Sequence, residues 1–385
     1  MRLAEVFRYE VAHRLRSAST WIYAGILFLL AAVMFLATAD GPASAHINAP
    51  ERIAGASVIV GMLGMLVTAG LFADAAIRDV AVGMDPLLFT SRLRKGEFLG
   101  GRFLAALAVN AVLLLAVPLG ILAATAFAAS FETTGPFRFG AYAQAFLFFQ
   151  LPNLVFSAAL LFAVAALTRA AVPVYLAMAG LLIGSVVALN YPGLIESPVL
   201  APLLDPFGGE AIQERTRYWT EAERNTRLLG LTGALAWNRA FALAMAGAVL
   251  GALVRVYRFA HVTGGGRRRG KRRVVASPAT TERSGPVAVP RVAGSFGART
   301  AVRQTLAIAR NSLAGFASSR WFPAVVAACV GLPLLWGWNV GETVFDTSTW
   351  PVTLLIVEEV LAQRSVILFI VLVLVYAGEL VWKDR

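Results

Sequence analysis

One cysteine, three histidines and a 15% share of charged residues leave little side-chain chemistry in a chain of 385 residues. With Cys329 alone, an intramolecular disulfide and a multi-cysteine metal site are both excluded. His13, His46 and His261 are far apart and no H-E-x-x-H joins them, so the ligand spacing of a zinc peptidase is missing. No G-x-S-x-G nucleophile elbow occurs. A phosphate loop is approached once, at Gly265 followed by Gly270-Lys271. Arg272 stands where a Mg²⁺-binding Ser or Thr is needed, and no strand precedes it. The expectation is a chain without enzymatic machinery that binds no cofactor of its own.

What the chain does have is apolar length. Hydrophobic residues make up 58% and the mean hydropathy is +0.71, against about 45–50% apolar and about 25% charged for soluble domains. They come in blocks, at about 21–38, 54–73, 103–128, 141–167, 172–189 and 236–254, then near 321–338 and 366–382. Most of these blocks are long enough to cross about 30 Å of hydrocarbon as a helix. At the end of the first block, Ala37-Thr38-Ala39 resembles a small-residue cleavage site, and basic residues precede the apolar run. The long apolar core and a leader containing Glu5 and Glu10 favour a retained span over a cleaved signal peptide.

The net charge of +12 follows topology rather than nucleic acid. With the N-terminus in the cytoplasm, 26 of the 34 Lys and Arg residues fall on the cytoplasmic side, and the acids lean the other way. The positive-inside rule therefore predicts both termini in the cytoplasm. It places 39–53, 129–140 and 190–235 outside.

Leu3, Val6, Phe7, Val11 and Leu15 recur at helical spacing ahead of Trp21, which predicts an amphipathic interfacial helix over 2–19. A similar pattern, Val302, Leu306, Leu313 and Phe316, precedes Trp321. Two further stretches match each other, FADAAIRDV at 72–80 and YAGELVWKDR at the end. Each places an acid four residues before a base, Asp74 and Arg78 in one, Glu379 and Lys383 in the other, with Asp79 or Asp384 next. Such an i, i+4 pair suits the C-terminal end of a helix. The chain thus reads as a repeat. Residues 1–260 form a six-span unit, 261–299 a basic flexible linker (GGGRRRGKRR, then Ser, Pro, Thr and Gly) against anionic lipid, and 300–385 an interfacial helix with two spans of a second, incomplete unit. The expectation is that a partner polypeptide, a second half or another copy of the chain completes it.

Residues 74–102 are a candidate docking surface. They carry Arg78, Asp79, Arg92, Arg94, Lys95 and Arg102, and Asp85-Pro86 can start a short helix that presents Leu87, Leu88 and Phe89. Asn110, Gln144, Gln150 and Asn153 are polar within spans, where they either glue helices together or line a substrate path. The loop 190–235 is charged on both signs and has a tail able to form an amphipathic surface helix.

The stretches EVFRYEVAHRLRSASTW, AAIRDVAVGMDPLLFTS, LLDPFGG with RYWTEAERNTRLLGLTGALAWNR, and YAGELVWKDR together resemble bacterial ABC-exporter permeases of the type-2 class, in a group of which some are fused to an aminopeptidase-N-type zinc peptidase. The resemblance implies an all-α protein of the bacterial cytoplasmic (inner) membrane. It implies a six-helix permease unit with an elbow helix, and a separate ATPase subunit that uses ATP and docks on cytoplasmic loops. The alternative is a non-transporting membrane anchor or protease-associated module.

Overall fold

The protein is described from a computed structural model, which covers residues 2–37, 46–84, 94–130, 133–190, 205, 207–258 and 297–317, with isolated positions at 323, 327, 330, 331 and 334. They fall into two units, Met1–His261 and Val262–Arg385. The described residues are helical with no strand. Five helices are long and apolar enough to cross a membrane, the mark of a multi-pass membrane protein.

In the first unit, α1 (Arg2–Leu15) leads into α2 (Ala18–Ala37). The Thr20 hydroxyl and the Trp21 indole donate to the carbonyls of Arg14 and Leu15, satisfying α1 acceptors that have no partner within the helix. Next comes α3 (Pro50–Ala81), which stops at Gly83. There φ is +69°, and Met84 N–H reaches back to the Asp79 carbonyl, the left-handed stop that glycine adopts most readily. The predicted span 54–73 is therefore only the middle of a longer helix, and Asp74, Arg78 and Asp79 lie on its last turns.

The next crossing is broken. α4 (Lys95–Leu114) and α5 (Ala116–Ala128) meet at Leu115. Pro118 has no N–H for the Leu114 carbonyl and its ring crowds that group. The fourth crossing is α6 (Phe139–Gln144), a π-helical turn (Ala145–Gln150) and α7 (Leu151–Thr168). Pro152 follows the π turn directly, and a widened turn relieves the missing donor. α8 (Ala171–Asn190) covers the predicted segment 172–189, but its apolar part described with side chains, Ala171–Ser185, is too short to count with the five. Short helices α9 (Gly209–Thr216) and α10 (Glu221–Thr226) lie in the charged loop 190–235, and α11 (Ala234–Val256) is the last crossing of the first unit among the described residues.

The core centres on α3, which touches α2, α4, α7 and α8, while α7 also packs on α11. The apolar window of α3 is 67% buried, against 22% for α2 and for α11, so these two are peripheral. Ile22, Ile26, Leu29 and Val33 form an exposed stripe along α2, as expected of a lipid-facing helix. In the second unit the described helix is α12 (Ala298–Ala317). The predicted spans at 321–338 and 366–382 and the closing YAGELVWKDR lie outside the described residues, apart from isolated positions in the first of these spans, as does nearly all of the linker.

Gly120 is where α5 meets α2. A Cβ there would overlap the Phe28 carbonyl oxygen and stand 3.0 Å from the Ala31 Cβ, whereas a Cβ at Gly25 meets nothing within 4 Å. Gly120→Val is expected to destabilise the bundle by about 1–3 kcal/mol. Gly25→Ala is expected to be neutral or slightly stabilising. Thermal aggregation of the detergent-solubilised variants, followed by size-exclusion chromatography, checks the contrast.

Candidate functional site

Six charged side chains converge where α1, α3 and α4 meet: Glu10 and Arg14 from α1, Asp74, Arg78 and Asp79 from α3, and Arg102 from α4. Glu10 is the hub. Its carboxylate accepts from Arg78 Nη2 at 2.6 Å and lies 3.5 Å from Arg102 Nη2 and 3.8 Å from Arg14 Nε. Arg14 Nη2 donates to Asp74 Oδ2 at 2.8 Å. Arg102 pairs with Asp79 at 2.5 Å, donates to the Ala75 carbonyl at 3.0 Å, and stacks 4.6 Å from the Phe98 ring centroid. Three acids thus balance three bases. Glu10 is 2% exposed, Arg14 4% and Arg102 6%. Burial pulls the Arg14 guanidinium below its ordinary range, and Asp74 and Glu10 oppose that shift. Buried charges are tolerated only when paired in this way.

The local sequence positions each member. Glu10 and Arg14 are one turn apart on the face of α1 that also carries Val6, Phe7 and Val11. That face docks on the glycine pair of α4, where a Cβ at Gly101 would stand 2.8 Å from Val6 Cγ1 and 3.2 Å from the Leu3 carbonyl. The expected i, i+4 contact between Asp74 and Arg78 is present but long, at 3.8 Å, and the short partners of both residues are on α1. Arg102, which belongs to the basic stretch 74–102 in the sequence, is a buried α4 residue. Helical periodicity from Phe98 onward is the signal that could have separated it from the loop.

Of the other residues in that stretch, Arg94 is exposed just before α4 and its N–H donates to the Glu97 carboxylate at 3.0 Å, and Lys95 is half-buried in the first turn. Val82 and Met84 are exposed. Asp85, Pro86, Leu88, Phe89 and Arg92 lie outside the described residues.

The four intramembrane polar residues are all buried. Asn110 Nδ2 donates to Thr68 Oγ1 at 2.8 Å, joining α4 to α3. Asn153 has a larger part. It donates to the Phe207 carbonyl at 3.1 Å and accepts from Arg239 Nη1 at 2.5 Å. Asp205 accepts from the Phe207 and Glu210 N–H groups, and the Asn238 amide donates to the Asp205 carbonyl at 2.7 Å. Gly208, at φ +78°, lies against the Arg239 guanidinium, which a Cβ there would overlap. A non-helical turn is thereby seated in the bundle beside α7 and α11. Sequence reasoning did not assign Asp205, Asn238 or Arg239 to a site, although they stand in the two stretches LLDPFGG and ALAWNR. Among the described residues, Gln144 Nε2 and both amide atoms of Gln150 have no hydrogen-bond partner. Gln150 lines a cavity of about 10 Å³ with Thr68, Asn153, Ser157 and Phe207, room for about one water.

At the same end of the bundle, segments 46–49, 133–138 and 225–226 are tied together by His46 N–H to Asn225, Asn48 to Gly135 and Arg138 to the Thr226 carbonyl. Beside them a cleft of about 580 Å³ is lined by Glu51, Glu210, Gln213, Glu214, Thr216, Arg217 and Arg224. Burial, then the charges of Asp205 and Glu214, raise the Glu210 carboxyl above its ordinary value. Among the described residues no His, Cys, Asp and Glu cluster is arranged to hold a metal ion.

Removing the hub takes from Arg78 its short partner and leaves three bases with two acids, and breaking a buried pair costs about 3–5 kcal/mol. Glu10→Ala is therefore expected to destabilise the bundle by that amount and to raise hydrogen exchange across α1, while Arg16→Ala, at an exposed position, leaves both unchanged. A similar melting temperature for the two variants would show that the cluster does not hold α1. Glu210 has the opposite sign. A raised carboxyl pKa means that folding favours the protonated form, so its ionisation subtracts stability as pH rises from the unfolded value through the folded one. Glu210→Gln is expected to raise the melting temperature at neutral pH and to lose that gain in acid, as a series of melts across pH will test.

Neither a protein-family model nor a curated protein matches the chain.

Proposed function

We propose that the chain is a permease subunit of an ATP-binding-cassette exporter, driven by a separate ATPase subunit that docks on residues 78–102. The observation that supports this reading is the buried charge cluster. Residues 85–93 join the end of α3 to the start of α4, and the cluster ties these two helix ends to each other and to α1. A force applied to that segment would move three helices as one body. Exposed Val82 and Met84 extend the apolar surface read from Leu87, Leu88 and Phe89, and burying such side chains against a partner contributes about 25 cal/mol per Å². Arg94 and Lys95 surround it with positive charge. In this reading the intramembrane polar residues serve the bundle, and the ATP is bound and hydrolysed by the partner.

In a bacterial inner membrane with both termini inside, segments 39–53, 129–140 and 190–235 face outside and 78–102 faces the ATPase. Single cysteines at Ser44, Ser130 and Tyr218 (the last 82% exposed), in a Cys329→Ser background, are expected to react with an impermeant thiol reagent on intact cells. A cysteine at Ser91 is expected to react only after lysis. Labelling at Ser91 from outside would overturn the orientation.

Affinity purification from native membranes is expected to recover an ATPase with the wild-type chain. Leu88→Ser with Phe89→Ser is expected to lower that recovery about tenfold, equivalent to about 1.4 kcal/mol of binding free energy, while the chain itself stays inserted. Recovery of the chain without an ATPase, or of the same amount with both variants, would favour a membrane anchor.

A further inference from the structure

The exposed helix α12 has a chemistry distinct from that of α1. It carries Arg299, Arg303 and Arg310 and no acid; indeed no Asp or Glu occurs from 283 to 341. At 100° per residue the three arginines fall within a sector of about 40°. Val302 and Leu306, 58% and 64% exposed, occupy the stripe beside that sector. Gln304 and Asn311 lie across the helix from Val302 and Leu306, with Ile308 beyond Gln304. Among the described residues none of the three arginines is ion-paired.

The comparison with α1 shows why this charge is left over. Trp321 follows Trp21 by 300 positions, and the same offset sets Arg310 against Glu10 and Ala314 against Arg14. The acid that gathers the arginines in the first unit is a base in α12. A helix built this way lacks the group that seats α1 in its cluster, and its cations are left without acids of their own.

We infer that α12 is a docking surface for anionic phospholipid. Its apolar stripe would enter the acyl boundary while the arginine flank reaches the phosphates from short range, with their stems along the interface. Charge selects the occupant. A second copy of α12 would bring the same cationic flank and no carboxylate to meet it, whereas an anionic leaflet supplies a continuous field of acceptors. The position of α12 in the chain agrees: it follows five apolar helices, and the segment between α11 and α12 contributes six more bases at 267–273. This surface goes beyond transport and holds whether or not the chain works as an exporter.

The test uses the full chain in lipid nanodiscs, in a Cys329→Ser background, with an environment-sensitive fluorophore on Leu306→Cys. A Gln304→Cys label on the opposite flank is the control. With phosphatidylcholine containing about one third phosphatidylglycerol, the Leu306 label is expected to shift to the blue and brighten at least twofold relative to phosphatidylcholine alone. The Gln304 label is expected to change little. Replacing Arg299, Arg303 and Arg310 together by Gln is expected to abolish the difference between lipids, and replacing them by Lys is expected to keep most of it. An unchanged melting temperature of the first unit shows that the variants are folded. Equal signals in the two lipids, an undiminished response of the Gln variant, or a response that appears only with several chains per disc would overturn the inference, the last in favour of pairing between copies.

Discussion

Glu10 is the group on which one end of the molecule turns. It is a single carboxylate, nearly without solvent, with three guanidinia around it from three helices. None of the three could remain charged and buried at that depth alone, because the cost of taking an ion from water exceeds any one contact. The acids of α3 complete the neutralisation, Asp74 at Arg14 and Asp79 at Arg102. The cluster contributes less to net stability than its number of pairs suggests. Its larger effect is specificity of position: α1 fits on α4 only where Val6 meets Gly101 and Glu10 meets the two arginines at the same time.

The opposite end is held by a different physical device. There the chain leaves helical structure inside the bundle, at Asp205 and Phe207–Gly208, and non-helical backbone in such a place needs partners for its N–H and C=O groups. Asp205 supplies them from within the turn, and Asn153 and Asn238 supply them from α7 and α11. Gly208 lets the turn reach the Arg239 guanidinium. The π turn ahead of Pro152 sets the register of α7 that brings Asn153 to this place. One end of the bundle is therefore fixed by ions and the other by amides.

The apolar helices of the first unit and the amphipathic pattern of α1 and α12 were legible from residue spacing, because hydrophobic periodicity is a local property. The breaks at Pro118, Pro152 and Gly83 are local in origin too, since each acts on its own few residues. The acid–base spacing of Asp74 and Arg78 was also legible, and an i, i+4 pair follows from it. Partner choice was not. Arg78 reaches Glu10, 68 residues away, and Arg102 reaches Asp79 and the Ala75 carbonyl. Helical periodicity from Phe98 onward could place Arg102 on a helix rather than in the loop with Arg94, but it names neither of these partners.

Sequence by itself determined that long apolar helices form and how much charge is available near their ends. Only tertiary structure decided which charges are buried, because burial depends on what neighbouring helices bring to the same point. The same distinction separates Glu10 from Arg310. Both stand one or two turns from the end of an amphipathic helix, but only the carboxylate meets three arginines from other parts of the chain. Arg239 and Asp205 belong to the same class. Their roles come from a turn that folds back between α7 and α11, and pairing over such distances follows from packing rather than from local pattern.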